Sequence, residues 1–344
     1  MLLLGSGWAV AQEAYVYPHF AEVQEPVRLP GGSWTWFPDA DLSRSLVDGT
    51  VRLLGVKELR RVWRNGTITF FYGGSGDARL AYLTRNLLYG LYYDLDVDTG
   101  ALVGWAKVRN GLGRPLALRQ LTFVAGEVPL RSGAAPVMAK SVRSMPLDAM
   151  AEEAAPVPQF SGSGGGVYRY VLKNPPVLEP GVNELPFLRG ATEPVYTWRY
   201  RGGFALGKLL ELTRGYTFEA PAELAAGLVN LRDHGVFLGQ TMLRDSAKGA
   251  QVQLWLGADP EGKATRRISV LKDERKEKAY RVVTVVENPR ELPVRVEFEE
   301  FFNARETTLK LPAGAERTPR GYRFVFALRP GEQRTFAYTV NLRY

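Results

Sequence analysis

The chain is predicted to be all-β, a tandem of antiparallel, immunoglobulin-like β-sandwich modules with one disordered insertion. Three observations lead there: apolar residues recur at every second position, helical spacing is scarce, and turn-forming pairs separate short regular runs. Val282, Thr284 and Val286 alternate with Val283, Val285 and Glu287, and Val294, Val296 and Phe298 with Arg295, Glu297 and Glu299. The two runs flank Glu287-Asn288-Pro289-Arg290 and read as one half-buried hairpin. Residues 91–97 and 101–108 flank Asp98-Thr99-Gly100, whose Asp supplies a side-chain acceptor and whose Gly supplies positive φ. Further turns are expected at Asn65-Gly66, Asn110-Gly111, Glu179-Pro180-Gly181, Asp259-Pro260-Glu261-Gly262 and Arg329-Pro330-Gly331-Glu332.

In chain order, residues 1–11 read as an export leader, because a short apolar run closes on Ala9-Val10-Ala11, a small-x-small cleavage pattern. Met1 runs straight into Leu2, Leu3 and Leu4 without the usual basic segment, so this leader reads as truncated. The expected location is therefore the periplasm or cell surface. No other apolar run approaches the roughly 20 residues of a membrane-spanning helix. With 0 cysteines there is no disulfide, no thiolate metal site and no lipoprotein anchor. At 344 residues and 45% hydrophobic content the chain has enough apolar mass to fold on its core alone.

Residues 12–78 are expected to form a small N-terminal β module, 79–215 a middle sandwich and 216–344 a C-terminal sandwich. Residues 131–166 interrupt the middle one: Ala, Pro, Met and Ser follow without period and end in Ser161-Gly162-Ser163-Gly164-Gly165-Gly166. Such a composition buries too little surface to offset its ordering entropy, apart from a helical turn at 147–154. A strand at 167–172 is expected to rejoin the sheet left at Val128. Residues 204–212 are the helix candidate elsewhere, weakened by Gly207.

The formal charge is +8 and is unchanged by removal of residues 1–11. A pI near 9.5 favours anionic envelope polymers, lipid headgroups or nucleic acid. Local patterning excludes the last of these. Arg60, Arg61 and Arg64 are diluted by Val62 and Trp63, and residues 272–278 mix lysines with Asp273, Glu274 and Glu277, so both stretches read as solvated strand ends or loops.

No catalytic, metal or cofactor set is assigned. Asp94, Asp96 and Asp98 have the spacing of the first calcium-loop ligands, but the glycine falls one position late, at Gly100, and Trp105 stands where a bidentate Glu is needed. They read as an acidic strand face entering a turn. His19 and His234 are the 2 histidines, each read as a strand-end or turn residue without the partners of a zinc site or a nucleophile–base pair. Glu297, Glu299 and Glu300 are the right residue type for glycoside cleavage, yet alternation puts Glu297 and Glu299 on one exposed face with no cleft. Among the aromatics, Tyr89, Tyr92 and Tyr93 precede Trp105 on the partner strand. Trp34, Trp36 and Phe37 are the candidate contact surface, weighed against core packing because Trp34 and Trp36 share one strand face. Phe336, Tyr338, Val340, Leu342 and Tyr344 alternate like the last strand of an outer-membrane barrel.

Two stretches resemble a bacterial family, the domain of unknown function 4139. Residues 101–128 (ALVGWAKVRNGLGRPLALRQLTFVAGEV) match its strand, Asn-x-x-Gly turn, strand and closing Gly. Residues 224–256 (LAAGLVNLRDHGVFLGQTMLRDSAKGAQVQLWL) match its later hairpins, with Gly227, Gly235, Gly239 and Gly249 at the turns. The Glu-Asn-Pro turn after Val286 and Arg329-Pro330-Gly331-Glu332 resemble its terminal segment. Proteins of this family are similar to mucoidy inhibitor A, whose preceding β module residues 27–56 loosely resemble. Relatives often carry a long coiled coil between the two parts; nothing between Arg64 and Leu80 could form one here. The resemblance implies an all-β fold and supplies no catalytic residues. The expected function is a non-enzymatic cell-envelope protein, structural or binding, whose partner is another envelope protein or an anionic surface polymer. The alternatives are a carbohydrate-active hydrolase and an outer-membrane barrel.

Overall fold

The computed structural model describes residues 12–126, 128–130, 159–164, 166–207 and 209–344. The leader expected at 1–11 and most of the insertion expected at 131–166, including its helical turn, lie outside the described residues. Strands hold 66% of the chain and helix 2%, so the all-β, sandwich-type expectation stands.

The chain forms two compact units. The first comprises Met1–Asp94, Leu102–Gly190 and Ala225–Gly227. It carries β1 (Gln12–Val16), β2 (Ala21–Leu29), β3 (Ser33–Trp36), α1 (Ala40–Ser45), β4 (Arg52–Leu54), β5 (Lys57–Arg64), β6 (Thr67–Gly73) and β7 (Gly76–Thr84). There follow β8 (Leu87–Asp96), β9 (Ala101–Asn110), β10 (Leu118–Ala125), β11 (Gln159–Gly164), β12 (Val167–Lys173) and β13 (Gly181–Ala191). One sheet runs β11-β12-β10-β1-β2-β7-β4, a second places β13, β9 and β8 side by side, and a third is β3-β6-β5. Rings from the first two sheets meet at Phe187 of β13: Tyr170 of β12 lies 4.7 Å away, Phe123 of β10 6.3 Å and Tyr93 of β8 5.7 Å. Gly104 of β9 makes room for this contact, since a Cβ there would stand 2.8 Å from the Phe187 ring. The strand expected at 167–172 does rejoin the sheet, pairing antiparallel with β10. The end of the expected insertion is ordered, because β11 pairs with β12.

Residues 12–78 share a sheet with strands that lie beyond them. The expected boundary at 78 falls inside β7, which pairs along its length with β2, and β1 inserts between β2 and a parallel β10. The N-terminal strands thereby complete a sheet whose other members come from the middle region. α1, which the alternation did not reveal, starts where Asp39 Oδ1 accepts the Leu42 N–H at 2.7 Å.

The second unit comprises Leu95–Ala101, Ala191–Leu224 and Leu228–Tyr344. Its strands are β14 (Val195–Gly203), β15 (Leu209–Leu210), β16 (Thr213–Glu219), β17 (Gly227–Asp233), β18 (Val236–Leu243), β19 (Gln251–Ala258) and β20 (Lys263–Asp273). They continue with β21 (Glu277–Glu287), β22 (Val294–Phe301), β23 (Glu306–Lys310), β24 (Ala315–Thr318), β25 (Gly321–Leu328) and β26 (Gln333–Arg343). Two sheets, β19-β16-β14-β22-β25-β24 and β15-β20-β21-β26-β23, enclose a core that includes Trp198, Phe298, Phe302, Tyr322, Phe336 and Tyr338.

Three expectations are corrected here. β21 and β22 are not a hairpin, because β21 pairs with β20 and β26 whereas β22 pairs with β14 and β25 in the other sheet. The intervening turn crosses the sandwich, and the fully buried Asn288 holds it, donating to the carbonyls of Leu292 and Arg329 and accepting from the Arg290 N–H. Residues 204–212 are not a helix: after Phe204 the chain is irregular and then forms the short strand β15 against β20. The apolar face of the last strand, Phe336, Tyr338, Val340 and Leu342, is the inside of the sandwich. Among the described residues no helix is long and apolar enough to cross a membrane.

Candidate binding face

The candidate contact residues lie in the small sheet β3-β6-β5. Asn65 and Gly66, both at positive φ (50° and 75°), close the tight hairpin between β5 and β6. Trp34 pairs with Phe70, Trp36 with Ile68, Arg60 with Phe71, Val62 with Thr69 and Arg64 with Thr67. Directly paired residues share a face. The inner face therefore holds Trp34, Trp36, Ile68 and Phe70, and the outer one holds Ser33, Thr35, Thr67, Thr69, Phe71 and Val62 with Arg60 and Arg64.

Trp34, Trp36 and Phe37 do not form one exposed surface. Trp36 is buried and stacks on Tyr82 at 5.3 Å; half-buried Trp34 stacks on the fully buried Phe70. Only Phe37, just past the end of β3 and 73% exposed, meets solvent freely. The period-two pattern that marked the two tryptophans as neighbours is the same pattern that turns both towards the core.

The outer face carries chemistry that the sequence pattern hid. A bulge in β5 between Glu58 and Arg60 sets Lys57 opposite Gly73 and Glu58 opposite Tyr72, so Lys57 joins Arg60 and Arg64 while Glu58 turns inward. There Glu58 accepts from Arg61 Nε at 2.6 Å, and Arg61 also donates to the Val51 carbonyl. Three cations and no carboxylate remain on the outer face. The Arg60 guanidinium sits 4.4 Å over the Phe71 ring, and the Thr35 and Thr69 hydroxyls hydrogen-bond at 2.9 Å. Among the described residues Lys57, Arg60 and Arg64 make no ion pair.

The carboxylates singled out from the sequence are engaged elsewhere. Glu297 is buried, not exposed as alternation implied, because Arg295, Arg323 and Gln253 close over it at 3.5, 3.4 and 3.3 Å. Glu299 pairs with Arg201 at 3.0 Å. Glu300 faces the opposite way, into the core, where Arg266 Nη2 lies at 2.8 Å and the Tyr338 hydroxyl donates at 2.5 Å. Burial raises the Glu300 carboxyl above the ordinary range, opposed by the Arg266 guanidinium and the Tyr338 hydroxyl. The three glutamates thus do not confront one another across a cleft.

Asp259, at the turn before β20, is a third buried carboxylate. It accepts from Trp198 Nε1 at 2.8 Å, the Gly262 N–H at 2.7 Å, the Glu261 N–H at 2.9 Å, the Tyr196 hydroxyl and Arg290 Nη2. Burial pushes its carboxyl up, but the Tyr196 hydroxyl, the two backbone donors and Trp198 together hold it below the ordinary value.

Asp94, Asp96 and Asp98 do not converge on a cation. Asp96 Oδ1 accepts from the Asp98 and Thr99 amides at 3.1 Å, as a strand entering a turn requires. Asp98 instead meets His234 Nε2 at 3.5 Å, and His234 Nδ1 lies 2.8 Å from Asp233 Oδ1. One atom from each lies within 4.8 Å of the others, which offers a divalent ion three donors, all on exposed or half-exposed side chains. Hydrogen bonding to Asp233 and the nearby Asp98 charge raise the His234 pKa. Tyr92 stacks on Trp105 at 6.3 Å, while Tyr89 and Tyr93 are core residues.

No family model and no curated protein matches this chain.

Proposed function

We propose that the chain is a non-enzymatic binding protein of the bacterial cell envelope, and that it holds an acidic polysaccharide on the outer face of β3-β6-β5. The observation that carries this is the composition of that face: Lys57, Arg60 and Arg64 without a carboxylate, beside Phe71 and the hydroxyls of Ser33, Thr35, Thr67 and Thr69. Spaced cations attract a polymer of carboxylates, and hydroxyls exchange hydrogen bonds with sugar hydroxyls. The envelope setting rests on the leader expected at residues 1–11. The resemblance to the domain of unknown function 4139 agrees with a role without catalysis, and the ion pairs that occupy Glu297, Glu299 and Glu300 favour binding over hydrolysis.

The test uses fluorescent polygalacturonate against uncharged dextran of equal length. The chain should bind the first and not the second, with affinity falling as salt rises, because exposed charges are screened over about 8 Å at physiological ionic strength. The Arg60→Glu/Arg64→Glu variant should bind at least tenfold more weakly while melting like the parent. Unchanged binding by that variant, or equal binding of dextran, overturns the reading.

A further inference from the structure

We propose that the free edge of β20 accepts an added strand, an extended segment of another polypeptide with alternating apolar side chains and a carboxylate opposite Arg267. This site lies in the second unit and is independent of the polysaccharide face.

β15 is the edge partner of β20, yet it covers only Ala264 and Thr265. Beyond them no described strand pairs with the outer side of β20. Where β15 stops, a hollow of about 520 Å³ opens, lined by Leu206, Leu209, Thr265, Arg266, Arg267 and Ile268. Arg266 is 5% exposed as a residue although its side chain is 0% exposed, so what it presents to the hollow is main chain. Unpaired backbone donors and acceptors at a sheet edge are a template for another strand.

The surroundings define the guest. Leu206 (65% exposed), Leu209 (76%) and Val270 (60%) are apolar side chains left in water along the edge. A bulge between Val270 and Lys272 ends the regular stretch. Residues 266–270 remain, about 17 Å of strand. Arg267 is exposed and makes no ion pair among the described residues, whereas Lys272 and Lys278 nearby are satisfied by Glu277 and Asp273. Its unused charge calls for a carboxylate. A second copy of this chain is the poorer guest, since edge-to-edge pairing would bring two Arg267 side chains into one short ladder, and like charges across a sheet repel.

The probe is a pool of blocked heptapeptides with Val, Ile, Leu or Phe at odd positions, Glu at the centre and Thr at the remaining two. Hydrogen–deuterium exchange of the full chain with the pool at 1 mM should slow at residues 266–270 and nowhere in β3, β5 or β6. For the tightest member, N-methylation of one alternate set of amides should weaken binding at least tenfold and methylation of the other set less than twofold, the signature of one-sided main-chain pairing. Arg267→Glu should weaken the same peptide at least tenfold, and a peptide with Lys at its centre should recover that loss. Absence of protection at 266–270, equal loss from both methylated sets, or indifference to Arg267→Glu overturns the proposal. So does a dimer in sedimentation equilibrium that protects these residues without peptide, because the edge would then belong to a second copy.

Discussion

Arg266 in the second unit and Arg60 in the first carry the same guanidinium in opposite circumstances. Arg266 is enclosed: Glu300 lies at 2.8 Å, the Ala205 carbonyl accepts at 3.1 Å and the Tyr200 hydroxyl stands at 3.5 Å. Arg60 stands over Phe71 with its other donors open to solvent and no carboxylate on its face. A charge surrounded by partners is committed to the fold, and its removal leaves the partner stranded. A charge left without partners contributes little to stability and is available to a ligand. The neighbours of one residue type thus decide whether its charge is committed to the fold or left open.

The comparison breaks most visibly in the core. Glu300→Ala removes the acceptor of the Tyr338 hydroxyl and the partner of the buried Arg266 side chain and should destabilise the chain by about 3–5 kcal/mol, measured by urea unfolding at pH 4.5. Polygalacturonate affinity of the folded fraction should not change. Equal stability of parent and variant would show that Arg266 is as free as Arg60.

A pH series sharpens the same contrast with a smaller effect. Glu300 has a raised folded pKa, so its contribution is fully present below the ordinary 4.5 and is lost as pH rises through the raised value. Asp259 has a lowered one, so its contribution is present above the ordinary 3.8 and is lost as pH falls through the lowered value. The stability gap between parent and Glu300→Ala should narrow as pH climbs from 4.5, whereas the gap to Asp259→Asn, about 2 kcal/mol near neutrality, should close only in acid. Parallel slopes would mean that the two carboxylates share one environment.

Trp36→Ala tests how legible the candidate surface was. A residue stacked on Tyr82 beneath the sheet should cost about 3–5 kcal/mol, and half-buried Trp34 less, with no selective effect on polymer binding. The strands and turns were readable because alternation and Gly, Asn and Pro turn chemistry are local. The parallel pairs β1–β10 and β14–β22 were not, since nothing within a strand records which distant strand it joins. Glu300 carried a readable signal, its even register with Val294, Val296 and Phe298, but its charge pointed to the surface and its partner Arg266 comes from the other sheet. The basic face was concealed by one residue. Strict alternation along β5 puts Glu58 beside Arg60 and Lys57 beside Arg61; the bulge exchanges Glu58 and Lys57 and leaves the cations unopposed.

The smallest expected effect lies at Phe37, the one member of the predicted aromatic trio that meets solvent freely. It follows β3 at the margin of the basic face and has no ring partner among the described residues. Truncating so exposed a side chain should change stability by no more than about 0.5 kcal/mol. Its contribution to a sugar polymer would be one marginal stacking contact, weaker than the cations, so Phe37→Ala should lower polygalacturonate affinity about twofold to threefold where the double arginine reversal lowers it at least tenfold. Salt separates the two, because stacking persists at roughly 0.5 M while exposed charge attraction is screened within about 4–5 Å. The Phe37→Ala deficit should then survive at high salt as the arginine deficit fades. A Phe37 deficit that disappears with salt would place the ring outside the contact and leave the polymer held by Lys57, Arg60 and Arg64 alone.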